Sequence, residues 1–328
     1  LRRKSQSGGA AKEGKGTSKI QDPPKAGSGK KNAKGEWLEA PEGMEVPENG
    51  IRRGRNGEGD QRAVDIWNKY HGPDAVKFPD PPWFKTSQEA EDWAKKNNLA
   101  DNISLKSFAL EVAQAVVDGV VLNLQKVPEA REYLQYLGNG DWFKKELEKL
   151  GTPEAKRLLD AKSFKNAYAF VATNTDVNAL VVTESYARDA DFFKRSLRDS
   201  ANSQWLVAPP KGKEIVGVIH HEMGHVLDHT INRINSEIKR EKAGETTFSS
   251  LYSSFHKNPN APSILSEYAT TNRNEMLAEA WGEYQTTPNP RPLAKQIGMM
   301  LEAEYRARVN KVQDGLCTPS KTSKNWKF

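Results

Sequence analysis

The segment 215–228 constrains this chain more than any other, because it combines an apolar helical periodicity with two histidines four residues apart. Its residues 221–225 read His-Glu-x-x-His, and side chains four apart lie on one face of a helix, one turn from each other. Two imidazoles in that geometry reach one zinc ion, and Glu222 between them projects toward the open side of the metal, where it can take a proton from a bound water. The segment therefore predicts a helix with His221 and His225 as zinc ligands.

The residues around this motif favour a buried helix. Its apolar side chains cluster on one side of a helical wheel; they are Ile215, Val216, Ile219, Val226 and Leu227. Pro209 and Pro210 precede the segment, which is typical of a loop that leads into a helix. The alternative interpretation is a pair of histidines packed at a helix edge beside an incidental glutamate. The apolar stripe and a second acidic segment downstream favour the metal site.

A zinc site requires a third protein ligand and leaves a fourth position for water. The metzincin pattern, with Gly and a third His further along the same helix, is absent because Asp228 and Ile231 occupy those positions. His229 lies four residues after His225, but a further turn of about 6 Å of rise is too far to complete a tetrahedron. We therefore expect the third ligand to come from a second element.

The best second element is the segment 266–281, which predicts a short loop followed by a helix. Its candidate core residues are Met276, Leu277, Ala280 and Trp281. Glu275 and Glu279 are four apart and share a face of this helix. One of them can bind the metal while the other holds a ligand histidine through its second ring nitrogen. The alternative is a solvated acidic face.

These two segments resemble the zincin domain of the anthrax lethal factor type, a group of gluzincins. The family pattern H-E-x-G-H-x-x-D is matched by His221, Glu222, Gly224, His225 and Asp228. A second pattern, Y-x-x-x-x-x-x-E-x-x-x-E-A followed by an aromatic residue, is matched by Tyr268, Glu275, Glu279, Ala280 and Trp281. The chain is also similar to the metallopeptidase domains of phage head-associated (minor head, Mu F-like) proteins, which share an ending seen here at Tyr284 and 288–291.

The resemblance implies a role for each matched polar residue. It implies three ligands for Zn²⁺, which are His221, His225 and Glu275. It implies that Glu222 is the general base and that Tyr268 donates its hydroxyl to the oxyanion of the tetrahedral intermediate, while zinc lowers the pKa of its water toward about 7. It implies that Glu279 and Asp228 support the ligand residues without binding the metal. The 50 residues from His225 to Glu275 imply an inserted loop or helix.

Two short β-rich runs precede the motif, at residues 167–172 and 179–183, with a turn signal at 174–176. They predict strands of a small mixed sheet that lies before the zinc helix. In zincins such a sheet offers an edge strand, so we expect a peptide substrate to bind as an extended strand. The alternative is a pair of core strands with a covered edge. Residues 189–205 predict an amphipathic helix.

Residues 61–150 predict a helical region without a recognisable active-site motif. The capping-box pattern at residues 86–89 opens one helix. The apolar periodicity of Ile103 to Leu124 predicts a long helix, and Pro128 starts another that carries Leu137. The longest apolar run is far below the ~20 residues needed to cross a membrane, so we expect no membrane partner.

The first 35 residues differ from the rest in charge. They hold ten Lys or Arg and two acidic residues, whereas residues 36–328 hold 39 basic and 41 acidic residues. Because residues 1–60 are rich in Gly, Ser and Lys, they predict a disordered basic linker. Residues 1–35 have the charge to bind the phosphates of nucleic acid; a solubilising linker is the other interpretation.

Residues 316–328 predict a basic C-terminal tail, which holds the single cysteine, Cys317. One cysteine excludes an internal disulfide framework and zinc binding by several cysteines. The start of the chain holds no apolar signal-peptide core. The location stays open, and the resemblance to phage proteins favours the virion or the host cytoplasm.

We expect an α+β fold in which a helical region, residues 61–150, precedes a zincin-like metallopeptidase domain, residues 151–315. The expected function is that of a zinc-dependent endopeptidase, in a phage head-associated protein with phage head proteins as partners, or in a toxin-like effector. Two alternatives stay open. One is a virion structural protein whose zincin domain is non-catalytic or packaged. The other is a nucleic-acid-binding module that acts through its basic tail.

Overall fold

The computed structural model describes residues 58–161, 164, 167–173, 177–237 and 243–317. Within these residues helices dominate and one four-stranded sheet is present, so the fold class is α+β, as predicted. The predicted basic linker and the predicted C-terminal tail lie outside the described residues, apart from the few residues that begin the first helix and end the last one.

The helices follow one another along the whole described chain. They are α1 (Glu58–His71), α2 (Ser87–Lys96), α3 (Leu110–Lys126), α4 (Gly140–Leu150), α5 (Pro153–Leu159), α6 (Glu184–Arg188), α7 (Ala190–Asn202), α8 (Glu214–Glu237), α9 (Ala243–His256), α10 (Ala261–Ile264), α11 (Arg273–Thr286) and α12 (Pro292–Cys317). Two 3₁₀ helices span Pro128–Tyr133 and Tyr268–Thr270. None of the described helices is long and apolar enough to span a bilayer.

The sheet has the strand order β1-β2-β4-β3, with strands β1 (Asn102–Ser104), β2 (Tyr136–Asn139), β3 (Ala169–Thr173) and β4 (Asn178–Val182). The first three strands in this order are parallel, and β3 runs antiparallel to β4 at one edge. The two predicted runs of β-type residues form the β3–β4 pair, within two residues of the predicted ends. All five residues of β4 are buried, so both faces of the sheet are covered by other parts of the chain at this strand.

Two strands occupy positions that the sequence predicts as helix. Ile103 lies in β1, and α3 begins seven residues later than the predicted helix. Leu137 lies in β2, because the helix that begins at Pro128 is a short 3₁₀ turn. Ile103 pairs with Leu137, and Leu137 pairs with Leu180 of β4, which buries all three side chains. Strands of three or four residues are too short to show a period of two, so only pairing with distant strands defines them.

The predicted boundary at residue 150 falls within this paired structure. β2 precedes the boundary and β4 follows it, yet their register pairs Leu137 with Leu180. The same hydrophobic core includes Val116 of α3, Ile219 of α8 and Trp281 of α11. The helical region and the predicted metallopeptidase region therefore share one sheet and one core within the described residues.

Helices α8 and α11 form the centre of the molecule. The apolar stripe predicted for the motif segment is largely buried, with Ile215, Ile219, Val226 and Leu227 in the core. All four predicted core residues of α11 are buried as well; they are Met276, Leu277, Ala280 and Trp281. The two helices approach closely at Gly224, where an added Cβ would lie 3.0 Å from the Cα of Ala278. This close contact brings the polar faces of α8 and α11 together.

Candidate metal centre

Three potential metal-binding side chains converge between α8 and α11. Nε2 of His221 lies 3.3 Å from Oε2 of Glu275, and Nε2 of His225 lies 3.2 Å from the same oxygen. One ligand-type atom from each of the three residues lies within 4.8 Å of the others. These are the residues that the sequence motifs and the family resemblance select as zinc ligands.

Local folding explains why Glu275 points at the histidines. Asn272 caps the start of α11, because its Oδ1 accepts a hydrogen bond from the backbone N–H of Glu275 at 3.0 Å. Glu275 therefore lies in the first turn of α11. His221 and His225 lie one turn apart on α8, with ring centroids 5.0 Å apart and planes at 82°. A tight helix crossing then brings the carboxylate to both rings.

The arrangement fits a divalent metal ion by two criteria. Tetrahedral zinc with bonds of about 2.0–2.2 Å holds its ligand atoms roughly 3.3–3.5 Å apart, which agrees with the two separations at Glu275. In addition, Oε2 of Glu275 is buried and accepts no hydrogen bond from the described residues. A buried oxygen without a hydrogen-bond donor is destabilising unless a cation neutralises it.

The outer side of His221 contacts a second carboxylate. Nδ1 of His221 lies 2.8 Å from Oε1 of Glu279, whose other oxygen accepts a hydrogen bond from the backbone N–H of Val207 at 2.8 Å. Glu279 is buried and held from two sides, so it can orient the ring of His221. This is the position that the resemblance assigns to Glu279, and its role stays a prediction.

The charges of these groups depend on one another. Burial opposes the charged form of His221, but its contacts with Glu275 and Glu279 raise the pKa of His221 well above the ordinary value. Burial also opposes the charged form of Glu275, but the closeness of the His221 and His225 rings lowers its pKa far below the ordinary range. Without a metal, proton sharing between imidazole and carboxylate therefore stabilises the cluster.

Glu222 lines the same cleft as the three converging side chains. It is only 6% exposed, and burial raises its pKa, while His221 and His225 act in the opposite direction. A carboxylate with a raised pKa is a stronger proton acceptor than an exposed one. Its placement is compatible with the predicted role of general base.

Tyr268 lies beside the cluster in the 3₁₀ helix before α11. Its ring stacks on His221, with centroids 5.9 Å apart and planes at 23°, and Trp205 packs against it at 5.4 Å. Its backbone N–H donates to the carbonyl of Trp205 at 2.9 Å. Burial, followed by the negative charges of Glu275 and Glu222, raises the pKa of Tyr268, so its hydroxyl keeps its proton and can donate it in a hydrogen bond.

The remaining candidates lie further along α8. Asp228 forms an ion pair of 2.9 Å with Arg273 at the start of α11, and this pair joins the two ligand-bearing helices. The supporting role that the resemblance implies for Asp228 stays a prediction. His229 lies one turn beyond His225, and its ring meets the edge of Tyr133 at 4.9 Å. The prediction that His229 is not a ligand is compatible with this position.

The cluster opens into a cleft of about 960 Å³. One wall is formed by α8 and α11 with their polar side chains. The cleft is also lined by residues 167–171, which include the first three residues of the edge strand β3, and by residues 205–210 after α7. Part of an extended strand therefore lines the same cleft as the metal-binding side chains.

The sequence gives no indication of a second polar group behind this cluster. His220 is buried on the face of α8 that packs against α3, and its Nδ1 accepts a hydrogen bond of 2.8 Å from the amide of Asn123 on α3. Oδ1 of Asn123 accepts a hydrogen bond of 2.7 Å from Nε1 of Trp281. Asn123 is 97 residues from His220 in the chain, so no motif or spacing relates the two.

Comparisons with protein-family models, curated proteins and solved structures give no match to this chain. The functional inference therefore depends on the motifs and on the geometry of the described residues.

Proposed function

We propose that this protein is a zinc-dependent endopeptidase with a zincin-like fold. The observation that supports this most directly is the convergence of His221, His225 and Glu275 in an open cleft that also holds Glu222 and Tyr268. Two histidines and a glutamate are a usual protein ligand set for catalytic zinc, which keeps a fourth position for water or substrate. The resemblance of the two motif segments to gluzincins points to the same class.

The residues of the site divide the chemistry between them. Zinc held by the three ligands would supply a Lewis acid that makes water more acidic and stabilises developing negative charge. Glu222 takes the proton of the attacking water and can later deliver it to the leaving amine. Tyr268 keeps its proton because its pKa is raised, and it donates a hydrogen bond to the carbonyl oxygen as that oxygen becomes negative. Glu279 holds the ring of His221 in place.

The cleft supports cleavage within a chain rather than at its end. Its α8 wall runs from Gly217 to His229, with His221 and His225 between them. Twelve residues of helix rise about 18 Å, which matches about five residues of extended peptide. β3 is the last strand in the sheet order, and no described strand pairs with its outer edge, which is where a substrate strand would add.

The biological setting is proposed from the resemblance alone. The similarity to phage head-associated metallopeptidase domains favours a protein that acts on, or together with, phage head proteins in the virion or the host cytoplasm. A toxin-like effector that cleaves host proteins is the second setting, from the resemblance to the anthrax lethal factor type. Burial of Glu222 next to the ligands favours an active over a non-catalytic domain in either setting.

A paired measurement of metal content and peptide hydrolysis tests the proposal. We expect about one zinc per chain after expression in zinc-replete medium, and loss of this zinc on chelation with the fold largely retained, because α8 has its own apolar stripe. Glu222→Gln should keep the zinc but abolish hydrolysis of a peptide library, since the amide cannot accept a proton. Parent chain without a transition metal would refute the proposal, and Glu222→Gln cleaving at the parent rate would show that Glu222 is not the general base.

A further inference from the structure

A buried polar connection joins three helices behind the candidate metal centre. Nδ2 of Asn123 on α3 donates to Nδ1 of His220 at 2.8 Å and to the carbonyl of Gly119 at 2.7 Å. Oδ1 of the same amide accepts from Nε1 of Trp281 at 2.7 Å. Asn123 is 4% exposed, so these bonds form away from solvent, where they are strong and costly to break.

Each side-chain partner of Asn123 is close in sequence to a residue of the centre. His220 precedes the ligand candidate His221 on α8. Trp281 follows Glu279 by two residues on α11. One side chain on a third helix therefore holds both helices that carry the proposed ligands.

Small residues at the helix contact leave few side-chain ridges to hold the two ligand helices in register, so polar contacts such as the ion pair at the start of α11 carry more of that restraint. An added Cβ at Gly224 would lie 3.0 Å from the Cα of Ala278, and one at Gly282 would lie 3.3 Å from the carbonyl oxygen of Gly217. Helix register is normally set by side-chain ridges in grooves, and glycines remove the ridges. Directional hydrogen bonds can supply the missing restraint.

The required precision is high for a metal site. A ligand nitrogen lies about 5–6 Å from the helix axis, so a rotation of α8 by about 10° moves it by about 1 Å. Functional constellations tolerate displacements of only about 0.5 Å. A small rotation of α8 against α11 would therefore separate His221 and His225 from Glu275.

We infer that Asn123 is a positioning residue for the metal centre, because it sets the rotation and register of α8 and α11 through His220 and Trp281. This inference rests on the proposed zinc site. It predicts that the loss of Asn123 lowers metal affinity and distorts metal geometry without removing a ligand.

The test compares zinc affinity and cobalt spectra in four versions of the full chain. Gln114→Ala is the matched control: Gln114 is another buried amide on α3, but it bonds Pro82 and Phe84 and leaves α8 and α11 untouched. Asn123→Ala should bind zinc about 10-fold more weakly than the parent, as is usual for supporting residues of metal sites. Trp281→Phe, which breaks one bond of the connection and keeps an aromatic core side chain, should show a smaller loss in the same direction.

The Co²⁺ form gives a readout that general destabilisation does not change. Its visible absorption should shift in Asn123→Ala and stay at the parent position in Gln114→Ala, whereas thermal unfolding should show a loss of stability in both variants. If Asn123→Ala does not fold, the zinc affinity and cobalt spectrum of Trp281→Phe test the inference in its place. Parent affinity and parent spectrum in the Asn123 and Trp281 variants overturn the inference and leave the zinc site standing. A parent chain that binds neither metal overturns the proposed site and the inference with it.

Discussion

Helix α8 places two adjacent histidines in opposite surroundings. His220 is buried against α3, where burial lowers its pKa to about 4 and the amide of Asn123 donates to its ring. His221 faces the cleft, where burial acts in the same direction but contacts with Glu275 and Glu279 prevail and raise its pKa well above the ordinary value. The two residues have the same side chain and lie on the same helix, but different groups face their rings.

The comparison shows that position relative to carboxylates decides what each histidine can do. A neutral imidazole that accepts a hydrogen bond inside the core, as His220 does, serves to hold helices together. An imidazole whose outer nitrogen contacts Glu279 and whose inner nitrogen faces Glu275 has the environment of a metal ligand. Two such different surroundings can follow one another on one helix because successive residues point about 100° apart.

Among the variants that test the contrast between His220 and His221, removal of Glu275 should have the largest effect. Glu275→Ala removes the only carboxylate in the three-residue cluster, so we expect the purified chain to lose most of its zinc, measured by plasma emission. The matched control is His229→Ala, which changes another cleft-lining residue of α8 and should keep its zinc. Full zinc content in Glu275→Ala would show that the ligand assignment is wrong.

Tyr268→Phe should leave the metal centre intact and slow the reaction. The phenyl ring keeps the stacking on His221 and the packing against Trp205. Loss of one oxyanion donor typically lowers the rate by ~10²–10³, and we expect this loss in kcat with zinc content unchanged. Turnover equal to that of the parent would assign Tyr268 to packing alone.

Glu279→Ala tests the outer side of His221. We expect zinc affinity to fall about 10- to 100-fold, because the ring loses the group that orients it. Glu283→Ala is a suitable control: Glu283 lies one turn further along α11 and is also buried, but its carboxylate binds Arg291. That variant should lose stability and keep its zinc affinity. Equal losses of affinity in both variants would point to general damage of α11.

The candidate site was predictable from sequence because its signals are local. His221, Glu222 and His225 lie within five residues, and Glu275 and Glu279 are one helical turn apart. The α+β class and the β3–β4 pair were predictable for a similar reason, since each strand is a short run of β-type residues near a turn signal. Local periodicity, however, could not reveal which of these residues meet in space.

The unpredicted features all depend on contacts between distant parts of the chain. Ile103 has an apolar neighbourhood that fits a helix, and only its pairing with Leu137 makes it a strand residue. Asn123 is a single amide within an apolar helical segment, and no sequence motif marks it as important. Its partners His220 and Trp281 are 97 and 158 residues away.

The last and smallest predicted effect concerns His220 and the dependence of stability on pH. A histidine in the unfolded chain has a pKa of about 6.5, whereas the pKa of His220 in the folded chain is about 4. Between these values the unfolded chain binds more protons at this position, so the free energy of unfolding should decrease as the pH falls from 6.5. For one group the slope is at most about 1.4 kcal/mol per pH unit.

The measurement is urea unfolding of the chelated, metal-free chain between about pH 6.5 and pH 5, above the range in which most carboxylates titrate. His221 has a raised pKa in both chains, so its own contribution to the slope cancels when the parent is compared with a variant at His220. His220→Gln is the control, since its amide oxygen can still accept a hydrogen bond but does not titrate. The parent should lose up to about 2 kcal/mol relative to this variant across the window. Parallel curves for the two chains would mean that His220 becomes protonated inside the folded protein and that the contrast between the two histidines is smaller than their surroundings indicate.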